Sequence, residues 1–179
     1  MSRLRFLNWM GFPLRNCPLA VRYQVISSAS VDLIWQKVIN LADVSWHPLI
    51  ASTNVPYGLV AKPGLIYQAV SRLLIPLRMR IFVERVRPEE LLSVRILALP
   101  GLEEQVTYQI ESSVCGTCIS YSVMLRGWLS PLIWSLIRGH AAQVANQLAI
   151  SAEAEGQRRL RGCLPWQTDA SKGKSCFDF

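Results

Sequence analysis

The spacing of apolar and polar positions changes period three times along the chain. Over residues 20–27, Val21, Tyr23 and Val25 alternate with Arg22, Gln24 and Ile26, the period-two signature of a strand. Val31, Ile34, Trp35, Val38 and Leu41 then recur at spacings of three and four, which predicts an amphipathic helix with Ser30 as N-cap and Asp32 favoured by the dipole in its first turn. A second short helix or turn is expected over residues 43–50, bent around Pro48. Strands return at 53–60, 65–74, 77–87, 91–99, 102–112 and 117–126, separated by Lys62-Pro63-Gly64, Pro76, Pro88-Glu89-Glu90, Pro100-Gly101 and Cys115-Gly116. Short connections between strands of this length predict an antiparallel meander with one covered and one wet face. The alternation is clearest late, where Val106, Tyr108 and Ile110 oppose Thr107, Gln109 and Glu111, and Ile119, Tyr121 and Val123 oppose Ser120, Ser122 and Met124.

The last period is again helical. Ser130 is a suitable N-cap and Pro131 suits the first helical position, where a missing N–H costs nothing. The stripe Ile133, Ile137, Val144, Leu148 and Ala152 carries the helix to about Glu155, with Gly156 as the expected stop. This divides the chain into an arm at 1–18, a folded domain at 19–156 and a mobile basic tail at 157–179.

Composition fits one packed domain: of 179 residues, 51% are hydrophobic and 17% charged, which excludes a disordered chain. Mean hydropathy is +0.24, yet no apolar run approaches the roughly 18–20 residues that span a bilayer, and no signal peptide is convincing. A cytoplasmic protein, peripheral at a membrane if it touches one, is therefore expected. The net charge of +7 is concentrated at the ends: residues 22–155 hold 11 Lys/Arg against 10 Asp/Glu, whereas Arg3, Arg5 and Arg15 face no acid before Asp32. A neutral domain with basic arms speaks against a nucleic-acid-binding face. Five scattered cysteines, an odd number, are expected to be reduced thiols.

Trp35 and Trp46, the Gly64 that opens the third strand, the Pro88-Glu89-Glu90-Leu91 turn and the Gly116-Thr117 hairpin lie within this order of elements. Together they resemble the START/polyketide-cyclase (SRPBCC) superfamily over about residues 19–155. The resemblance implies an α+β helix-grip fold: a curved antiparallel sheet of about seven strands around a long C-terminal helix, two short helices after the first strand, and a cavity between sheet and helix. Members of that superfamily carry or process lipids, sterols, quinones, polyketides and plant hormones, and fold alone does not choose among these.

Within such a cavity, Trp46, Tyr67, Tyr108, Tyr121, Trp134 and His140 are the candidate ligand-binding side chains. Buried phenols seek polar partners. His140, three after Ile137 and four before Val144, borders the long helix's apolar stripe; His47, beside Pro48, is expected to be exposed. The parity of Val106 and Tyr108 turns Glu104 inward, where a carboxylate needs a donor, a water or a ligand; the alternative is a solvated strand end. Arg95, by its own parity, faces out.

Cys115-Gly116-Thr117-Cys118 has the spacing of a dithiol motif, but strand-forming residues follow it, so it reads as a hairpin with Gly-Thr at its tip. Two histidines without an acidic cluster predict no metal site, and no cofactor motif is present.

The expected function is binding or transport of an uncharged apolar molecule of roughly 15–30 heavy atoms, such as a lipid, isoprenoid quinone or pigment. The alternative is an aromatase/cyclase- or dehydratase-like enzyme using Glu104 or His140 as acid/base. The arm mixes Arg3 and Arg5 with Phe6, Trp9 and Phe12, a composition suited to an anionic membrane surface or to a lid packed on the domain.

Overall fold

The computed structural model describes residues 18–73 and 76–162. Seven strands form one antiparallel sheet: β1 (Leu19–Ser27), β2 (Ile50–Thr53), β3 (Ile66–Ser71), β4 (Arg78–Arg87), β5 (Leu91–Leu99), β6 (Leu102–Ser113) and β7 (Gly116–Gly127), in the order β1-β7-β6-β5-β4-β3-β2. Helix α1 (Val31–Ile39) follows β1, and helix α2 (Ser130–Gly162) closes the chain. Register shifts in the β2/β3, β4/β5 and β5/β6 pairings add residues on one strand of each pair and bend the sheet around α2.

The inward face is made of cross-strand rows. Val21, Val123, Val106, Val94 and Val83 are successive register partners across five strands, and the next row deeper runs Tyr23, Tyr121, Tyr108, Leu92. Helix α2 presses Ile137, Ala141, Val144, Ala145, Leu148, Ala149 and Ala152 into this face. The alanines let the helix axis approach the strands closely. Its C-terminal half is tied to β1 by Glu153, which accepts hydrogen bonds from Ser27 Oγ (2.8 Å) and Ser28 N–H (2.9 Å). The bond from the Ser28 amide, then that from the Ser27 hydroxyl, hold this carboxyl below its usual range.

Several local expectations are corrected. Of the helix or turn expected over residues 43–50, the structure has turns over 43–49, with Ile50 already in β2, so one short helix and not two follows β1: Asp43 Oδ1 accepts from Ser45 N–H and Oγ, an Asx arrangement that competes with helical bonding. The strand expected over 53–60 ends at Thr53, because Pro56 and Gly58 (φ +86°) turn the chain and Asn54 Oδ1 takes the Gln68 N–H. Ser130 begins α2, but its buried hydroxyl has no partner among the described residues and so does not cap the helix. Gly156 does not end α2 either, which continues to Gly162. A β-carbon at Gly156 would stand 3.1 Å from Leu33 Cδ1, so this glycine serves the close contact between the helices. The hairpin tip is Val114-Cys115, with Ser113 paired to Gly116. Gly116 adopts φ +131°, and a β-carbon there would lie 2.5 Å from the Ser27 carbonyl oxygen. Cys115 and Cys118 are free thiols, exposed and half-buried respectively.

Candidate functional site

Because β1, β6, β4 and β2 run opposite to β7, β5 and β3, one end of the sheet gathers the start of β1, the end of β7, the β5–β6 hairpin and the chain between β3 and β4. A cavity of about 100 Å³ lies between the inward face and the first turns of α2 toward this end. Its walls come from the sheet (Met79, Ile81, Val94, Ile96), from the β3–β4 connection (Leu73, Leu77), from the β5–β6 hairpin (Ala98, Leu99, Leu102) and from Ile133 and Ile137 of α2. Val38, Leu41, Trp46, His47 and Leu49 close the remaining side.

The polar atoms in this apolar enclosure are few. Glu104 occupies a row whose register partners are Leu125 on one side and Ile96 on the other, and no lysine or arginine is among the described cavity residues. Its side chain is half-buried and lines the cavity. Burial without a compensating cation raises its carboxyl from 4.5 to about 7, so near neutral pH it holds a proton for a substantial part of the time.

A second polar group surrounds Tyr108. The Leu49 N–H donates to His47 Nδ1 (3.2 Å), which fixes the ring proton on Nε2; Nε2–H then donates to the Tyr108 hydroxyl at 2.9 Å. Burial, with a smaller contribution from Arg72, lowers His47 to about 3, so the ring is neutral. The Tyr108 ring lies 5.2 Å from that of Tyr121 and 6.2 Å, edge-on, from that of Trp46. Both phenols are pushed far up by burial, then by neighbouring phenols and Glu104; Tyr67, also on the cavity wall, is raised by burial. Trp46 Nε1 is buried and has no hydrogen-bond partner among the described residues. A donor left unpaired in an apolar wall costs free energy that an acceptor placed in the cavity recovers.

Of the candidate side chains, Trp46, Tyr67, Glu104, Tyr108 and Tyr121 are brought together on the cavity wall. His140 is not. The inward stripe of α2 centres on Ala141, Val144 and Leu148, which puts position 140 about 100° round the helix, and its side chain is exposed. Trp134 is half-buried against the core without reaching the cavity. His47, expected outside, is buried, because the turn at 43–46 folds it back under β6. No period exists in a non-repetitive segment to reveal that direction; the adjacency of Trp46 and His47 was the only signal. Arg95 faces outward and pairs with Glu84 (2.6 Å) and Glu103 (3.6 Å). Arg3, Arg5, Phe6, Trp9 and Phe12 lie outside the described residues. Among the described residues no group of acidic, histidine or cysteine side chains is arranged to hold a metal ion, and no helix is long and apolar enough to cross a membrane.

No family model and no curated protein matches the chain. Solved structures do. The aromatase/cyclase ZhuI from Streptomyces sp. R1128 is similar with a TM-score of 0.66 at 11% identity, covering 78% of this chain and 96% of that one. Ara h 8.0201 follows with 0.61 at 10% identity, over 77% of this chain and 99% of its own. Norcoclaurine synthase from Thalictrum flavum matches at 0.59 and 14% identity, over 80% and 99%. The chain has the helix-grip fold that these proteins share, as its resemblance to the START/polyketide-cyclase superfamily implies.

Proposed function

We propose that the protein binds and carries an apolar small molecule with one hydrogen-bonding oxygen, its body against the aliphatic walls and its oxygen toward Trp46 Nε1. A lipid, isoprenoid quinone or pigment has this chemistry. The observation that carries the reading is the buried indole N–H of Trp46, unpaired among the described residues, on a cavity wall made mostly of leucine, isoleucine, valine and methionine. A cavity of about 100 Å³ is below the ~300–1,000 Å³ occupied by ligands of roughly 15–30 heavy atoms. A molecule of that size requires wall side chains to make room, and Leu73 and Leu77 contribute wall from outside the strand ladder.

A second reading, an aromatase/cyclase- or dehydratase-like enzyme, is favoured by Glu104: a carboxyl near 7 both gives and takes a proton at neutral pH. His140, exposed on α2, has no part in it.

Native mass spectrometry of protein purified from its own host, followed by organic extraction, tests the carrier reading directly. Uptake of a polarity-sensitive dye, competed by quinones or fatty acids and abolished in Ala98→Trp, is the expected result. No uptake by the folded wild type refutes it. Turnover of an extracted compound, lost in Glu104→Gln, moves the assignment to the enzyme.

A further inference from the structure

The sequence-wide balance of charge conceals a polarity along the fold. At the cavity end, residues 71–80, 97–103 and 125–138 carry Arg72, Arg78, Arg80, Arg126 and Arg138 against the single acid Glu103. At the opposite end, residues 27–33, 87–91, 111–117 and 150–162 carry Asp32, Glu89, Glu90, Glu111, Glu153 and Glu155 against Arg87, Arg158, Arg159 and Arg161. The cavity end is therefore basic and the other end mildly acidic.

Three of these arginines, Arg78, Arg80 and Arg126, border an open groove of about 720 Å³ beside Leu97, Leu99 and Pro100. Ala98, Leu99 and Leu102 belong to both the groove and the cavity wall. Arg78 and Arg80 make no side-chain hydrogen bond or ion pair among the described residues, and Arg126 reaches only Met124 Sδ (3.9 Å). Glu103, on the same groove, is engaged by Arg95. Large apolar side chains are exposed at this end as well: Trp128 at 67%, Leu132 at 60%, Leu136 at 58% and Leu97 at 41%. Leu132 and Leu136 stand one turn apart on the outer side of α2, and Trp128 lies over the β5–β6 hairpin next to Gly101.

We propose that the cavity end is a docking face for an anionic lipid bilayer, with Arg78, Arg80 and Arg126 meeting headgroup phosphates while Trp128, Leu132 and Leu136 enter the acyl boundary. Unpaired cations beside exposed tryptophan and leucine are the two components of interfacial binding. A nucleic acid would engage the arginines and leave the leucines in water. The N-terminal residues, with Arg3, Arg5 and Arg15 and no acid, join the fold here, because Leu19 pairs with Leu125 at the end of β7. Docked this way, the shared wall of groove and cavity faces the membrane. The proposal rests on the carrier reading only for the purpose of docking; the surface is independent of what the cavity holds.

The test is co-sedimentation of the full chain with phosphatidylcholine vesicles, with and without added phosphatidylglycerol, at low and physiological salt. Wild type is expected on the anionic vesicles only. Each arginine near the surface contributes roughly a five-fold factor, so Arg78→Gln with Arg80→Gln lowers partitioning by about 25-fold. Leu132→Ser with Leu136→Ser also weakens it, and Arg158→Gln with Arg161→Gln at the opposite end leaves it unchanged. Unchanged thermal midpoints and dye uptake show that each variant remains folded with its cavity intact. Wild type remaining in the supernatant at low salt overturns the proposal, as does an equal loss in the opposite-end variant. So does loss on removing residues 1–16 when Arg78→Gln with Arg80→Gln binds like wild type, which makes the arm the sole anchor. A salt-sensitive complex with RNA and none with vesicles overturns it too. Dye uptake without vesicle binding leaves the carrier reading standing and ends this one.

Discussion

Replacing Glu104 with glutamine keeps the shape of the side chain and removes its ionisation. In the folded protein burial between Leu125 and Ile96 raises this carboxyl from 4.5 to about 7. An acid whose folded pKa lies above its unfolded value binds its proton more tightly in the native state. Stability is therefore greatest below the unfolded pKa, falls as pH rises between the two values, and levels off above the folded one. At about 1.4 kcal/mol per unit, Glu104 costs the wild type about 2 kcal/mol at pH 6 and about 3 kcal/mol at pH 8, relative to pH 4. His47 acts in the opposite sense: its lowered pKa removes stability as pH falls below 6.5 toward about 3. The diagnostic quantity is thus the difference between the two proteins, in which His47 and the surface carboxylates cancel. Urea denaturation of wild type and Glu104→Gln at pH 4, 6 and 8 measures it. Any packing difference of the amide is a constant offset, so the gain of the variant over wild type is expected to grow by about 3 kcal/mol from pH 4 to 8. A difference that stays flat with pH refutes the assignment of Glu104 to an apolar, cation-free wall.

Tyr108→Phe removes the acceptor of the His47 Nε2–H and leaves that donor buried, so a loss of about 1–3 kcal/mol in urea denaturation is expected. Cys115→Ser with Cys118→Ser leaves stability and dye uptake unchanged, whereas Gly116→Val costs about 2 kcal/mol or more, since it meets both a positive φ and the Ser27 carbonyl; equal midpoints for the two variants would contradict this. Glu153→Gln weakens the acceptor for Ser27 Oγ and Ser28 N–H, and amide exchange at Ser28 reads the loosened junction as faster exchange.

Local periodicity determined much of this protein. Strands, hairpins and the two helices follow from period-two and period-3.6 patterns, and the inward parity of Val106 carries over to Glu104 and Tyr108 because alternation along a strand admits one register for a buried face. The helix stripe likewise identified Ile137, Val144, Leu148 and Ala152. Where the chain has no period, only the tertiary structure decides direction: the turns at 43–46 bury His47, and Gly156 ends nothing because Leu33 packs against it. His140 shows the limit of a stripe edge, where a displacement of about a quarter-turn separates cavity from solvent. The charge polarity lies furthest from the sequence. Residues 22–155 are nearly neutral as a string, and antiparallel strands interleave their ends so that Arg78, Arg80 and Arg126, distant along the chain, meet at one pole. Composition counts charges; pairing register places them.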